Sequence, residues 1–406
     1  MPVLLQINSV INAGSTGRIA EGIGRSALNV GWESYIAFGR NEQQSKSRKI
    51  KIGNKFDVYV HGINTRLFDR HCLCSAAATK KLIMHIKTIK PDIIHLHNIH
   101  GYFLNMPILF DFLAEFDAPV VWTLHDCWPF TGHCAYFDYV GCTQWRTGCF
   151  KCPQKNTYPA SVLLSRAHKN YMYKKQSILS VKKLTLVPVS NWLAGLCAES
   201  FLKGIPLQVI HNGIDTEVFN AEYISNKKTV LSRYNIKTDF LILGAAFVWS
   251  KRKGLGDFIK LAAVLPKDAH IMLVGLSKKQ IARLPPNRTG ITRVNGAGEM
   301  AHLYTCADVY INPTWEDNFP TTNLEALSCG TPVITYNTGG SIESITPETG
   351  FIVAQGDIRG LAAALEKIKL KTKHSYSKLC RNHAVNFFTQ KERFLEYINL
   401  YNNLID

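Results

Sequence analysis

The stretch Val309-Tyr-Ile-Asn-Pro-Thr-Trp-Glu-Asp-Asn-Phe-Pro-Thr-Thr-Asn-Leu-Glu-Ala-Leu-Ser-Cys-Gly-Thr-Pro-Val-Ile-Thr335 reads as strand, loop, helix and strand in succession. Val309 to Asn312 and Pro332 to Thr335 are short apolar runs, and the segment opened by Pro320 and Thr321 lies between them as a helix. Strands that alternate with helices in this way argue for a parallel sheet with helices on both faces. The same stretch sets two acids, Asp317 and Glu325, eight residues apart around small polar residues.

Outward from this unit the alternation continues in both directions. Upstream in the same series come Phe240 to Phe247, a helix from Leu255, and Ala269 to Val274. An earlier series comprises Val3 to Asn8, a helix from Gly14 to about Asn29, Ser34 to Phe38, Asp92 to His97, a helix near Asn105 to Glu115, Pro119 to Leu124, Leu184 to Val187 and Gln208 to Ile210. A polar stretch from Asn212-Gly213 to about Thr238 separates the two series. With 406 residues, two domains of roughly 150 to 200 residues are expected. The expected class is therefore α/β, with two Rossmann-like, doubly wound domains facing a cleft. In such sheets ligands bind beyond the carboxyl ends of the strands, so the chemistry belongs in the loops there.

Composition narrows the function classes. The longest apolar runs, such as Val120 to Leu124 and Leu241 to Val248, fall well short of the ~20 residues a membrane span needs. The start, Met1-Pro-Val-Leu-Leu-Gln-Ile-Asn8, lacks a basic n-region and runs into a strand, so a cytoplasmic protein is expected. Eleven cysteines, an odd number in a long chain, argue against a disulfide scaffold and toward thiols or metal ligands. The net charge of +17 calls for an anionic partner, but the lysines and arginines lie in small scattered groups without a nucleic-acid motif, so no nucleic-acid partner is expected.

Four loops carry chemistry. Asn12-Ala-Gly-Ser-Thr-Gly-Arg18 follows the first strand and opens the first helix. Gly14, Ser15 and Gly17 there permit close backbone approach and expose amides suited to a phosphate or carboxylate, or form only a tight turn. Thr123-Leu-His-Asp-Cys-Trp-Pro-Phe-Thr-Gly-His133 ends a strand, placing His125 for a hydrogen bond to a sugar hydroxyl and Asp126 to fix its tautomer or meet an acceptor. His95 and His97 share one strand face with His100 in the following loop, and no carboxylate is spaced to complete a metal site with them. Cys134, Cys142, Cys149 and Cys152 form C-x7-C-x6-C-x2-C, which fits a closed structural zinc knot, free thiols, or a cluster or redox pair. A catalytic zinc is excluded by four thiolates, which leave no open coordination position. In the second series Ser250-Lys-Arg-Lys-Gly254 sets Arg252 and Lys253 at a helix start, where an anion such as a diphosphate would relieve the conflict between cations and helix dipole.

The two acids then acquire a context. Phe319 and Pro320 lead into a helix whose first amides, at Thr321 and Thr322, suit a phosphate or sugar oxygen. Asp317 and Glu325 would accept hydrogen bonds from hydroxyls, sugar for the first and ribose for the second. Thr322-x-x-Glu325 is equally a capping box, and the pattern alone does not separate these readings.

Taken together, Asp317 to Val333, the glycine loop, Lys253-Gly254, His211-Asn-Gly-Ile-Asp215 and the His125 loop resemble a retaining family 4 glycosyltransferase of the GT-B fold, over nearly the whole chain. The Trp-Pro-Phe-Thr-Gly-x-Cys and Gly-Cys-x-x-Cys-Pro segment is similar to the branch that builds bacterial surface polysaccharides of the O-antigen and colanic-acid type. The resemblance implies an acceptor-side domain over 1–205 with a Cys-rich loop 127–160, a nucleotide-sugar-binding domain over 206–385, and a final helix, 386–406, crossing back to the first domain.

It further implies a nucleotide-diphosphate sugar as donor and no cofactor for catalysis. Glu325 would bind the ribose and Lys253, with Arg252, the diphosphate. Asp317 and the loop amides would meet the donor sugar, and His125 and the first glycine loop would approach from the other domain. His97 and Asp126 would stand on the acceptor side, and the acceptor would be a lipid-linked or free oligosaccharide. A basic chain acting on such an acceptor is expected at an anionic inner-membrane surface as a peripheral protein. Two departures stand out. The acid pair usually reads Glu-x7-Glu, and here Asp317 is one methylene shorter, with Glu316 adjacent. The usual arginine before the lysine is absent, Ala246 and Phe247 occupying its region. A sugar-nucleotide epimerase or phosphorylase on the same fold is the alternative.

Overall fold

The computed structural model describes residues 1–220, 227–238, 240–266, 268–285 and 288–406. It divides into two compact units, Met1–His211 with Arg393–Asp406, and Asn212–Glu392.

The first unit is built on strands β1 (Val3–Val10), β2 (Glu33–Arg40), β3 (Arg48–Lys51), β4 (Ile93–Leu96), β5 (Val120–Leu124) and β6 (Leu184–Pro188). They lie side by side as β3-β2-β1-β4-β5-β6, every pair parallel. Helices α1 (Gly14–Asn29), α2 (Lys55–Phe68), α3 (Ala76–Ile89), α4 (Met106–Glu115), α5 (Ala167–Leu179) and α6 (Asn191–Glu199) connect or follow them. β1 is buried from Leu4 to Ser9, as a strand must be when helices cover both faces of its sheet. The order reverses between β1 and β4, so the loops leaving these two strands diverge and open a crevice at their carboxyl ends. This geometry positions both Asn12–Arg18 and His97.

The second unit repeats the plan with α7 (Lys227–Ser232), β7 (Phe240–Ala245), α8 (Leu255–Val264), β8 (Ala269–Val274), α9 (Lys278–Ile281), β9 (Arg288–Ile291), α10 (Ala297–Cys306), β10 (Val309–Asn312), α11 (Thr321–Ser328), β11 (Val333–Tyr336), β12 (Gly350–Val353), α12 (Ile358–Lys371) and α13 (His374–Phe388). The order is β12-β11-β10-β7-β8-β9, again parallel throughout. Here the reversal falls between β7 and β10, so the loops carrying Lys253 and Asp317 are the two that flank the switch point.

A final helix, α14 (Gln390–Ile405), starts in the second unit and from Arg393 belongs to the first. Its Phe394, Tyr397, Ile398 and Tyr401 pack in one apolar cluster with Leu4, Ile19, Ile23, Val121 and Val187. Gly22 on α1 makes room for it, since a Cβ there would stand 2.1 Å from the Phe394 ring.

Several segments differ from the sequence expectation. Gln208 to Ile210 runs beside β6, with Gln208 N to Leu186 O at 3.0 Å and Ile210 N to Pro188 O at 3.2 Å, but the isolated bridge there is at Leu207 and these residues are no strand. Lys46 to Lys55, one of the scattered basic groups, carries regular structure. It contains β3, whose Ile50 is buried, and the start of α2, where Asn54 and Asp57 form a reciprocal capping box. Of the polar stretch from 213 to 238, residues 221–226 lie outside the described residues, and α7 follows them. Among the described residues no helix is long and apolar enough to cross a membrane.

Candidate active site

In the second unit, β7 leads through a short turn, Lys251–Lys253, into α8. Gly254 makes that turn possible: its φ is +76°, and a Cβ would lie 2.0 Å from Pro313 O. The close approach ties the loop after β7 to the loop after β10. Trp315 N and Thr314 Oγ1 donate to Arg252 O, the Arg252 guanidinium donates to Glu316 O, and Trp315 Nε1 reaches Asp257 Oδ2 on α8 at 2.7 Å. A second tight contact, at Gly339, brings Gly340 N to Asp317 O at 3.0 Å.

These ties place Lys253 Nζ 2.5 Å from Asp317 Oδ2. Burial lowers the pKa of Lys253 while Asp317 opposes that shift; burial of Asp317 raises its pKa, but Lys253 and Arg252 outweigh it and hold the carboxyl below its usual range. The result is an ion pair at the switch point of the sheet. Glu316 is wholly buried, so of the adjacent acids it is Asp317 that meets the lysine. Arg252 supports the loop backbone through Glu316 O.

The Thr322-to-Glu325 capping box is not formed. α11 begins after Pro320, which occupies the N-cap position without a side-chain cap, and Glu325 Oε2 instead accepts a 3.0 Å hydrogen bond from Tyr304 OH on α10. Half-buried Thr321 and Thr322 begin the helix, while Phe319 is buried and its carbonyl accepts from Asn212 Nδ2. Behind them Asn312 Nδ2 donates to Asn323 Oδ1 at 2.9 Å, fixing the end of β10 to α11. Tyr304 and Asn323 carried no signal in the sequence.

In the first unit, α1 starts at exposed Gly14 and Ser15, with Ala13 preceding it and no side-chain cap. Gly17 is buried, and a Cβ there would press on Val10 and the Asn12 amide. His97, at the end of β4, is buried between two partners: its Nδ1 meets His125 Nε2 at 3.1 Å and its Nε2 meets Gln6 Oε1 at 3.0 Å. Gln6 Nε2 donates to Ala20 O, so its oxygen must accept from His97 Nε2–H. His97 Nδ1 is then the acceptor and His125 Nε2 the donor. Burial pushes His97 well below the usual histidine range and His125 to about 4, so both rings are neutral near pH 7.

Asp126 does not hold His125. Its oxygens are taken by His100 Nε2 at 3.3 Å and Trp128 N at 2.9 Å, which make it a loop anchor. Gln6, His97 and His125 thus form a hydrogen-bonded chain that spans β1, β4 and the β5 loop. His95 is buried beside it with Thr123 Oγ1 at 2.8 Å and Tyr401 OH at 2.6 Å.

The segment after β5 gathers the four cysteines. All are free, and among the described residues none of them belongs to a group that brings three ligand atoms within 4.8 Å of one another. Between them Phe130, Phe137 and Trp145 stack into a small aromatic core.

Each unit is thus a doubly wound parallel sheet with polar and charged loops at its switch point, where enzymes of this architecture bind their ligands. Residues 22–218 match the family described as Glycosyltransferase Family 4, and residues 237–369 match Glycosyl transferases group 1. The chain belongs to the family 4 glycosyltransferases and has their GT-B fold. It is similar to the putative colanic acid biosynthesis glycosyl transferase WcaC of Escherichia coli (strain K12), 25% identical over 99% of this chain and 100% of that protein. The O-antigen biosynthesis glycosyltransferase WclY of Escherichia coli is 27% identical over 50% of this chain and 58% of its own. Among solved structures, Anabaena HepE in complex with UDP has a TM-score of 0.71 at 15% identity, covering 100% of both chains.

Proposed function

We propose that this glycosyltransferase moves a sugar, with retention at the anomeric carbon and without a catalytic metal, from a nucleoside-diphosphate sugar to a lipid-linked saccharide in bacterial surface-polysaccharide assembly. The observation that carries this reading is the Lys253–Asp317 ion pair at the β7/β10 switch point, with Glu325 held by Tyr304 on the next helix. In this reading Glu325 accepts from the ribose hydroxyls and Tyr304 orients it. The incoming diphosphate takes Lys253 as its counterion, and the α11 amides at Thr321 and Thr322 add dipoles where negative charge develops. Asp317, relieved of the lysine, accepts from a sugar hydroxyl. A diphosphate oxygen takes the proton of the attacking hydroxyl, and Lys253 with the helix amides, rather than a metal, stabilises the leaving charge. In the first unit, His125 and the uncapped start of α1 at Gly14 and Ser15 serve as hydrogen-bonding groups for sugar.

The names of the relatives support the acceptor class. WcaC and WclY are described as polysaccharide enzymes, and a Campylobacter jejuni relative, 26% identical over 33% of this chain and 37% of its own, acts on a diphospho-undecaprenol saccharide. Peripheral attachment to an anionic bilayer has a matching surface. α2 exposes Phe56 by 71% and Tyr59 by 66%, and Leu163 is 61% exposed in a loop bonded to the end of α2 through Val162 N to Arg66 O. Lys46, Lys49, Lys51 and Lys55 stand in and before the start of this helix. Apolar side chains beside lysines fit an interface of acyl chains and anionic headgroups.

The test screens nucleotide sugars for turnover onto polyprenyl-diphosphate saccharides. Transfer that survives EDTA and gives a product with the donor's anomeric configuration by NMR supports the reading. Inversion, or a strict requirement for added divalent metal, overturns it.

A further inference from the structure

We propose that Tyr397 and Tyr401 of α14, with His95 of β4 and Thr123 of β5, are positioning residues for His125, so that the last helix of the chain is a working part of the sugar-binding end of the first unit. The proposal rests on the reading of His125 as a group that hydrogen-bonds sugar.

The two-residue period of a strand puts His95 and His97 on the same face of β4. His97 meets His125 at 3.1 Å, and its backbone is fixed on both sides, the N–H donating to Ile7 O at 2.9 Å and the carbonyl accepting from Trp122 Nε1 at 3.0 Å. Its ring also rests on that of His95. The two ring centres are 4.0 Å apart, and the rings of His97 and His125 follow at 5.4 Å, within 19° of parallel. The three imidazoles form one file that runs from the buried centre of the sheet to half-buried His125, just beyond the end of β5.

The inner end of the file is closed by α14, whose Tyr397 and Tyr401 stand one turn apart on the same face. Tyr401 OH lies 2.6 Å from His95 Nδ1, Thr123 Oγ1 lies 2.8 Å from His95 Nε2, and Thr123 Oγ1 donates to Tyr397 OH at 3.1 Å. These contacts order the protons. Thr123 has one hydroxyl proton and gives it to Tyr397, so its oxygen accepts from His95 Nε2–H. Burial keeps His95 neutral, so its Nδ1 carries a lone pair and accepts from the Tyr401 hydroxyl. His95 and His97 thus share the Nε2–H tautomer, and each ring is fastened at both nitrogens.

The network serves geometry more than cohesion. His95, Thr123, Tyr397 and Tyr401 are each at most 2% exposed. A buried hydrogen bond contributes little beyond the hydration its groups give up, so apolar side chains would close this interior equally well. Elsewhere α14 does use them: its other buried residues are Phe394, Ile398 and Leu400. What the polar groups add is a single orientation and tautomer for each ring, at the one place on the helix that backs the histidine file.

The experiment uses the full-length chain carrying isotopically labelled histidine. In the long-range proton–nitrogen spectrum His95 and His97 are expected as Nε2–H tautomers. Tyr401→Phe and Tyr397→Phe keep the rings and remove one hydroxyl each. They are expected to shift or broaden the His125 ring signals, assigned by their loss in His125→Ala, and to lower kcat by about ten-fold with donor KM nearly unchanged. Leu400→Ala removes packing from the same helix without removing a hydrogen bond, and is expected to lower the melting temperature while leaving the His125 signals and kcat in place. In the His125→Ala background, Tyr401→Phe is expected to have no further effect on kcat. His125 signals that stay put in both tyrosine variants overturn the proposal whatever the activity. Equal changes in Leu400→Ala also overturn it, because they assign the effect to packing. If the signals move as expected but His125→Ala leaves kcat unaltered, it is the reading of His125 as a sugar contact that falls.

Discussion

At the scale of single residues, the decisive contact is the hydroxyl of Tyr304 on the carboxylate of Glu325. A hydrogen bond to a charged group contributes about 1.5–3 kcal/mol, so Tyr304→Phe is expected to raise the donor KM by roughly ten-fold or more, with a smaller change in kcat. Glu325→Ala should abolish the calorimetric signal for donor altogether. Lys253→Met has a different signature. It removes the countercharge of the leaving diphosphate and is expected to cut kcat by about 100-fold or more, with donor affinity less affected; steady-state kinetics with both variants separate the roles. The sequence could pose the question at Glu325 but not answer it, because the deciding residue lies 21 positions away on another helix. Tyr304 sits in a run, Ala301-His-Leu-Tyr-Thr-Cys306, that reads as an ordinary helix. The ion pair was legible only as two candidate ligands on separate loops, since nothing local announces that the loops after β7 and β10 are neighbours.

At the scale of elements, the turn from β7 into α8 depends on one left-handed residue pressed against a carbonyl. Gly254→Ala is expected to lower stability by about 2 kcal/mol or more, read as a lower midpoint in urea, because neither the φ of +76° nor the Pro313 carbonyl can yield cheaply. α2 makes the opposite kind of statement: its exposed aromatics contribute little to the fold. Phe56→Asp with Tyr59→Asp should leave the melting temperature nearly unchanged while weakening sedimentation with anionic vesicles, and added salt should weaken the parent protein in the same assay. The strands were legible because a parallel sheet covered on both faces writes itself as unbroken apolar runs, as Val120 to Leu124 does. β3 and α2 were not. Lysines flank Ile50 and the stripe of α2 faces outward, so the signal of burial is faint there.

At the scale of the whole molecule, the histidines divide unequally. Burial pushes His61 and His125 to about 4, and His71, His95 and His97 well below the usual range, all in the first unit; in the second, His270 and His383 are lowered. The unfolded chain binds protons on these rings as pH falls below about 6.5, whereas the folded chain resists to lower pH, to about 4 at His61 and His125. Stability is therefore full above that range and declines through it, each such ring costing about 1.4 kcal/mol per pH unit. Calorimetry between pH 7 and 4.5 should show the transition of the first unit moving down faster than that of the second. An acid scan in which both move together would contradict this assignment.

The return of α14 to the first unit bears on how the protein is made. The tyrosines that close the apolar interior around β1, β4 and β5 are encoded beyond the entire second unit, from Arg393 onward. A ribosome that has delivered residues 1–211 has thus delivered a sheet with one wall missing, and that wall arrives only after 212–392 have emerged. The nascent first half must wait with apolar surface uncovered, which makes it a natural client for chaperones. Cutting the gene at the apparent boundary should accordingly yield an aggregating fragment rather than an autonomous domain, rescued when a peptide corresponding to 390–406 is supplied in trans.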